Sequence, residues 1–132
     1  MIVTNLVEIH PIKNDIIYVK PKEGVDFTAE EIIKVHQIFE KMANRMPYKV
    51  IVDARDVSVG HVTMDTFNVT SIKKHRPNQI AEAYLFNTLH IRILINFYFK
   101  TFKPVIPSKM FQCPDEASNW LREIQANTLS LG

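Results

Sequence analysis

The chain has 132 residues, the size of one domain, and its 46% apolar, 10% aromatic and 23% charged composition excludes global disorder. Its three glycines lie far apart, which excludes a P-loop and a dinucleotide fingerprint, and its one cysteine excludes an intramolecular disulfide and a zinc-finger cluster. The formal net charge of +2 is too small to point to nucleic acid; within it Thr66 to Pro114 carries +6, with Glu82 the only acid, and the remainder −4.

In chain order, Leu6–Ile9 and Ile16–Val19 read as two short strands around the turn signal Lys13-Asn14-Asp15, bounded by Pro11 and Pro21. Thr28-Ala-Glu-Glu31 is a capping box, with Phe27 and Ile32 at the staple positions. Ile32, Val35, Phe39, Met42 and Met46 follow at helical spacing, and Pro47 is expected to end that helix at Met46. Lys49–Asp53 is a buried strand with an acidic end that opens onto the loop Ala54–His61. Met64–His75 reads as a helix with Met64, Phe67 and Ile72 inward, weakened by Asn68, Val69 and Thr70. Ile80–Phe86 and Val105–Phe111 read as strands, Pro107 confining the latter to an edge. Pro114 starts a last helix with Ala117, Trp120, Leu121 and Ile124 on one face.

Leu89–Lys100 satisfies two templates. Its odd positions are all apolar, as in a strand, while Arg92, Asn96 and Lys100 lie four apart, as in a helix. The strands on either side need a crossover between them, so the segment is expected to be helical. The order is then ββαβαβαβα: an α/β fold, one domain over residues 1–132, with a mixed, mainly parallel five-stranded sheet. Thr128–Gly132 is expected to be weakly ordered. No secretory signal is visible at Met1–His10, and Leu89–Phe102 is too short and too charged to span a bilayer, so a cytoplasmic protein without a transmembrane segment is expected.

Three stretches carry a family likeness: Val50-Ile-Val-Asp-Ala-Arg55, the apolar run Leu89–Phe102, and Phe111-Gln-Cys-Pro-Asp-Glu-Ala-Ser-Asn-Trp-Leu121. With the element order, they resemble the STAS superfamily, closest to the small SpoIIAA-like or STAS/SEC14-like proteins of bacteria. The resemblance implies a non-enzymatic regulatory or protein-interaction module, or alternatively a carrier or sensor of an apolar, lipid-like ligand. The family's phosphoacceptor motif Asp-Ser-Ser-Gly aligns with His61-Val-Thr-Met64. Only Thr63 keeps a hydroxyl there, so the phosphoserine switch is expected to be absent.

The candidate sites follow from these placements. Thr63 reads as an N-cap before it reads as a phosphoacceptor, and Ser58 is a weaker acceptor in the same loop. Asp53, Arg55, Asp56 and His61 gather where open α/β sheets place ligands. Without a nucleophile or a glycine-rich anion loop, Asp53 reads as a loop anchor rather than a catalytic carboxylate. His36 with Glu40 and His61 with Asp65 have i, i+4 spacing, but two ligands without a third do not make a metal site, and solvated positions account for them. Cys113 reads as an inert thiol beside Asp115 and Glu116. No metal, cofactor or nucleic acid is called for. Leu94, Phe97, Tyr98 and Phe102 form the candidate surface for a homodimer, a regulatory partner or an apolar ligand, because the apolar arc of their helix is wider than one sheet face covers.

Overall fold

A computed structural model describes residues 1–124. Its elements are β1 (Ile2–Val3), β2 (Val7–Ile9), β3 (Ile16–Pro21), α1 (Ala29–Met42), β4 (Tyr48–Asp53), α2 (Met64–Ser71), β5 (Gln79–Leu85), α3 (Leu89–Phe102), β6 (Ser108–Phe111) and α4 (Pro114–Arg122). The fold is α/β, with a six-stranded mixed sheet in the order β1-β2-β3-β4-β5-β6. The pairings β1–β2 and β2–β3 are antiparallel, and β3–β4, β4–β5 and β5–β6 are parallel. The sixth strand corrects the expected five. Ile2 and Val3 pair with Ile9 and Glu8, and the Thr4 hydroxyl closes the bend by accepting from the Leu6 and Val7 amides. Two residues are too few for an alternating pattern to register as a strand. The expected weak order of Thr128–Gly132 lies outside the described residues.

Each parallel step advances one strand in the same direction, so right-handed crossovers place α1, α2 and α3 on one face of the sheet. That face carries Ile17 and Val19 of β3, Val50 and Val52 of β4, and Glu82 and Tyr84 of β5, which are register neighbours. The opposite face belongs to α4. Ala81 and Ala83 of β5 let Ala117 and Leu121 approach until both are fully buried, with Ile51, Leu85 and Phe111 beside them.

Local signals set the helix ends. Thr28 accepts from the Glu31 amide at 3.3 Å; the Glu31 carboxylate turns to Lys34 instead of back to Thr28, so half of the box forms. α1 stops at Met42, not at Met46. Asn44 and Arg45 take left-handed backbone at φ 51° and 59°, and the Arg45 amide closes on the Glu40 carbonyl, so the chain has left the helix before Pro47 acts. Met46 is accordingly exposed. α2 is also shorter than expected, because Ile72 is extended, and Met64 faces solvent instead of the core. α3 is a helix as expected, capped by Thr88 and closed by Lys103 in left-handed backbone ahead of Pro104. β6 begins at Ser108, leaving Val105 exposed on the approach. Among the described residues, no helix is long and apolar enough to cross a membrane.

Candidate functional site

The three helices do not close fully on their face of the sheet. A cavity of about 170 Å³ lies between them and the strands. The sheet supplies Val19, Val52 and Tyr84 to its floor; Val35 and Phe39 of α1 and Ile91 and Ile95 of α3 form two walls. The roof is α2, whose inward positions are short: Thr66 and Thr70 lie one turn apart beside Phe67. The Thr66 hydroxyl donates to the Phe27 carbonyl and the Thr70 hydroxyl to the Thr66 carbonyl. Both hydroxyls are thus spent on the backbone. Short side chains at these positions leave space that a leucine would fill.

One end of the cavity is polar. His36, Glu82 and Tyr98 line it, and Arg76 stands behind Glu82. Arg76 is fully buried and donates from Nη1 to Glu82 Oε2 at 2.9 Å and from Nη2 to the Thr70 carbonyl. Arg76 and Glu82, both counted in the +6 of Thr66 to Pro114, are therefore core residues and not surface charges. His36 is also buried rather than solvated, and Glu40 turns away from it to bond Asn78.

The electrostatics of this end follow from burial. Loss of water lowers the His36 pKa to about 3, with the Arg76 and His75 charges pushing the same way, so the imidazole is neutral. Burial raises the Tyr98 hydroxyl, and the Glu82 charge adds to it, so the phenol stays protonated. Burial works against the Arg76 charge, but Glu82 outweighs it and the guanidinium pKa is raised. The polar end is therefore a closed ion pair flanked by neutral donors. Among the described residues, His36 Nδ1 and the Tyr98 hydroxyl have no hydrogen-bond partner, and neither do Arg76 Nε, the Tyr48 hydroxyl or Gln79 Oε1.

None of the expected loop residues Asp53, Arg55, Asp56, Ser58, His61 and Thr63 lines the cavity. Val59 and Val62 of the loop after β4 line the cavity, and the loop is zipped onto residues 23–27. The Ser58 amide bonds the Glu23 carboxylate, the Gly60 amide the Val25 carbonyl, and the His61 amide the Asp26 carboxylate. At Gly60 a Cβ would come within 2.4 Å of Asp26 Oδ1 and 2.7 Å of the Val25 carbonyl oxygen, so the close approach requires glycine. Asp56, at φ 57°, exchanges two hydrogen bonds with Asn87. Asp53 lies on the α4 side of the sheet and accepts from the Arg55 amide, from Arg55 Nε and Nη2 at 3.0 Å, and from the Tyr18 hydroxyl. Burial would raise its pKa, but the Arg55 and Tyr18 hydrogen bonds overcome that and hold it at about 2, and Tyr18 is pushed up to about 12. Asp53 thus anchors the loop start. Thr63 caps α2 by accepting from the Thr66 amide at 3.3 Å, and its own side chain is exposed. His61 and Ser58 are exposed, whereas Asp53 is buried.

The four candidate interface residues split. Tyr98 is buried in the cavity wall, Leu94 lines the cavity half-buried, and Phe102 packs half-buried on Phe67. Only Phe97 is exposed, and the row it belongs to is Leu89, Ile93 and Phe97, at 68%, 59% and 39% exposure. The sheet and α2 cover more of the arc than the pattern suggested, because Phe67 reaches between Phe97, Tyr98 and Phe102.

A family model described as a domain of unknown function, DUF7793, matches residues 10–125. The chain belongs to this family. No curated protein and no solved structure matches it. The DUF7793 span contains every residue that lines the cavity except Val7. In this chain the cavity, with its rim loop and polar end, thus lies within the matched span apart from Val7. His36, Arg76 and Glu82 carry its polarity, and sequence reasoning passed over all three as site residues. The available signal was Glu82 itself: one charge at the centre of the apolar strand Ile80–Phe86 needs a buried partner.

Proposed function

We propose that this protein is a non-enzymatic binding protein, a carrier or sensor that holds a small apolar molecule between the sheet and α1–α3. The observation that carries the reading is the 170 Å³ apolar cavity, which exceeds the roughly 150 Å³ known to hold one benzene. The half-buried Phe27, Val59, Val62 and Leu94 mark the side on which a ligand enters. Binding to the folded state alone raises stability with ligand concentration. Benzene or toluene at millimolar concentration should therefore raise the melting temperature, and a native mass spectrum of freshly purified protein should show an adduct of small mass. No adduct and no thermal shift with benzene, toluene or octane would overturn the reading.

A second reading follows from a different observation. Leu89, Ile93 and Phe97 form an exposed apolar row on α3, flanked by Arg92 and Lys100. It supports a STAS-like protein-interaction module that pairs with a second copy of itself through α3. Ile93→Glu should then turn a dimer into a monomer in sedimentation. A wild-type monomer at tens of micromolar would refute it.

A further inference from the structure

The polar end of the cavity carries more information than its volume. Two side chains that line it, His36 and Tyr98, are more than nine-tenths buried, and each has a hydrogen-bonding atom without a partner among the described residues. Buried polar groups in native proteins are paired, so His36 on the α1 wall and Tyr98 on the α3 wall mark where a ligand's polar group belongs. The charges nearby do not call for an ion. Arg76 is matched by Glu82 and also bonded to the Thr70 carbonyl, so the cavity offers no free cation to a carboxylate and no free anion to an amine. A charged ligand would bury an uncompensated charge beside a closed pair. The remaining wall is aromatic to an unusual degree, with Phe27, Phe39, Phe67 and Tyr84 around the same space. Rings pack there in edge-to-face or offset contact.

Resting on the binding reading above, we infer that the ligand is a small uncharged aromatic molecule with a single hydroxyl or carbonyl group. Its ring lies among Phe27, Phe39 and Phe67, and its polar group takes the free hydrogen-bonding positions of His36 and Tyr98.

A matched series tests this by calorimetry at pH 7: toluene, p-cresol, benzoate and benzylamine, on the wild-type chain and on Tyr98→Phe. The wild type should bind p-cresol at least tenfold more tightly than toluene, and should bind benzoate and benzylammonium more weakly than toluene. Tyr98→Phe should cut p-cresol affinity severalfold while leaving toluene affinity unchanged, which also shows that the variant keeps its cavity. Equal affinity for toluene and p-cresol in the wild type, or tighter binding of either ion, would overturn the inference while leaving an apolar binding site intact. Failure of all four to bind would overturn both.

Discussion

The pair Arg76–Glu82 is the most consequential contact in the core, and its removal separates two accounts of buried charge. Both side chains are out of water, at 0% and 5% exposure, and they share one hydrogen bond of 2.9 Å. Glu82→Gln keeps the shape and one acceptor but leaves the guanidinium with no opposite charge. Breaking a buried pair by removing one partner costs about 3–5 kcal/mol, and the retained hydrogen bond places this variant near the lower figure. Arg76→Met strands the carboxylate, which escapes by taking up a proton at roughly 1.4 kcal/mol per pH unit of displaced pKa. The double variant Arg76→Met/Glu82→Leu removes both charges and should be within about 1 kcal/mol of the wild type or above it. Urea denaturation of the wild type, Arg76→Met, Glu82→Leu and the double variant closes the cycle and gives the coupling energy, which should reach roughly 3 kcal/mol. A Glu82→Gln cost under about 1 kcal/mol, or additive single variants, would refute the reasoning, since water would then be reaching the pair.

Three further outcomes follow. Thr63→Ala should destabilise by about 1 kcal/mol through loss of the α2 cap, while Thr63→Ser is silent, both read by chemical denaturation. Gly60→Ala forces a methyl into Asp26 and the Val25 carbonyl, so it should cost about 2 kcal/mol and speed amide exchange at Gly60 and His61 in hydrogen-exchange mass spectrometry. His36 has a folded pKa of about 3, below the ordinary 6.5, so the unfolded chain binds a proton that the folded chain refuses. Stability contributed above pH 6.5 should therefore decline as pH falls toward 3, by up to about 1.4 kcal/mol per unit. His36→Leu should flatten that slope between pH 7 and 4.5, and parallel wild-type and variant profiles would refute it.

The elements that were legible in the sequence share a property: their signal is local. The cap at Thr28, the strand Lys49–Asp53 and the proline start of α4 were each placed by residues within one turn of themselves. Leu89–Phe102 satisfied both periods locally and was settled by topology, the need for a crossover between parallel strands. The errors have the opposite origin. α1 ends early because Asn44 and Arg45 adopt left-handed backbone, and a local rule at Pro47 does not see that. The exposure of α3 was misjudged because Phe67 arrives from another element to cover Tyr98 and Phe102. The cavity was out of reach for a related reason. A void is a property of how three helices sit on a sheet, and its lining comes from all of α1, α2, α3 and four strands. The apolar-ligand alternative was inferred from the greasy α3 segment, yet the walls owe as much to the threonines of α2.

The two faces of the sheet show that the void is not a failure of this chain to pack. Behind β5, Ala81 and Ala83 meet Ala117 and Leu121 with all four fully buried. On the other face the 170 Å³ would cost about 4 kcal/mol with nothing filling it, at about 24 cal/mol per Å³. That is a large share of the 5–15 kcal/mol typical of a domain, so a chain without use for the space gains by closing it. Ala54 offers the test, since it is buried at the end of β4 and lines the cavity. Ala54→Leu adds three carbons to that space, each stabilising by about 0.8 kcal/mol when buried, for roughly 2 kcal/mol in all. The variant should melt higher than the wild type and lose the stabilisation given by toluene. Stability gained together with binding lost is the pattern of a functional cavity. A loss of stability on Ala54→Leu, with toluene binding retained, would place the ligand elsewhere and leave α2's short threonines without a role in it.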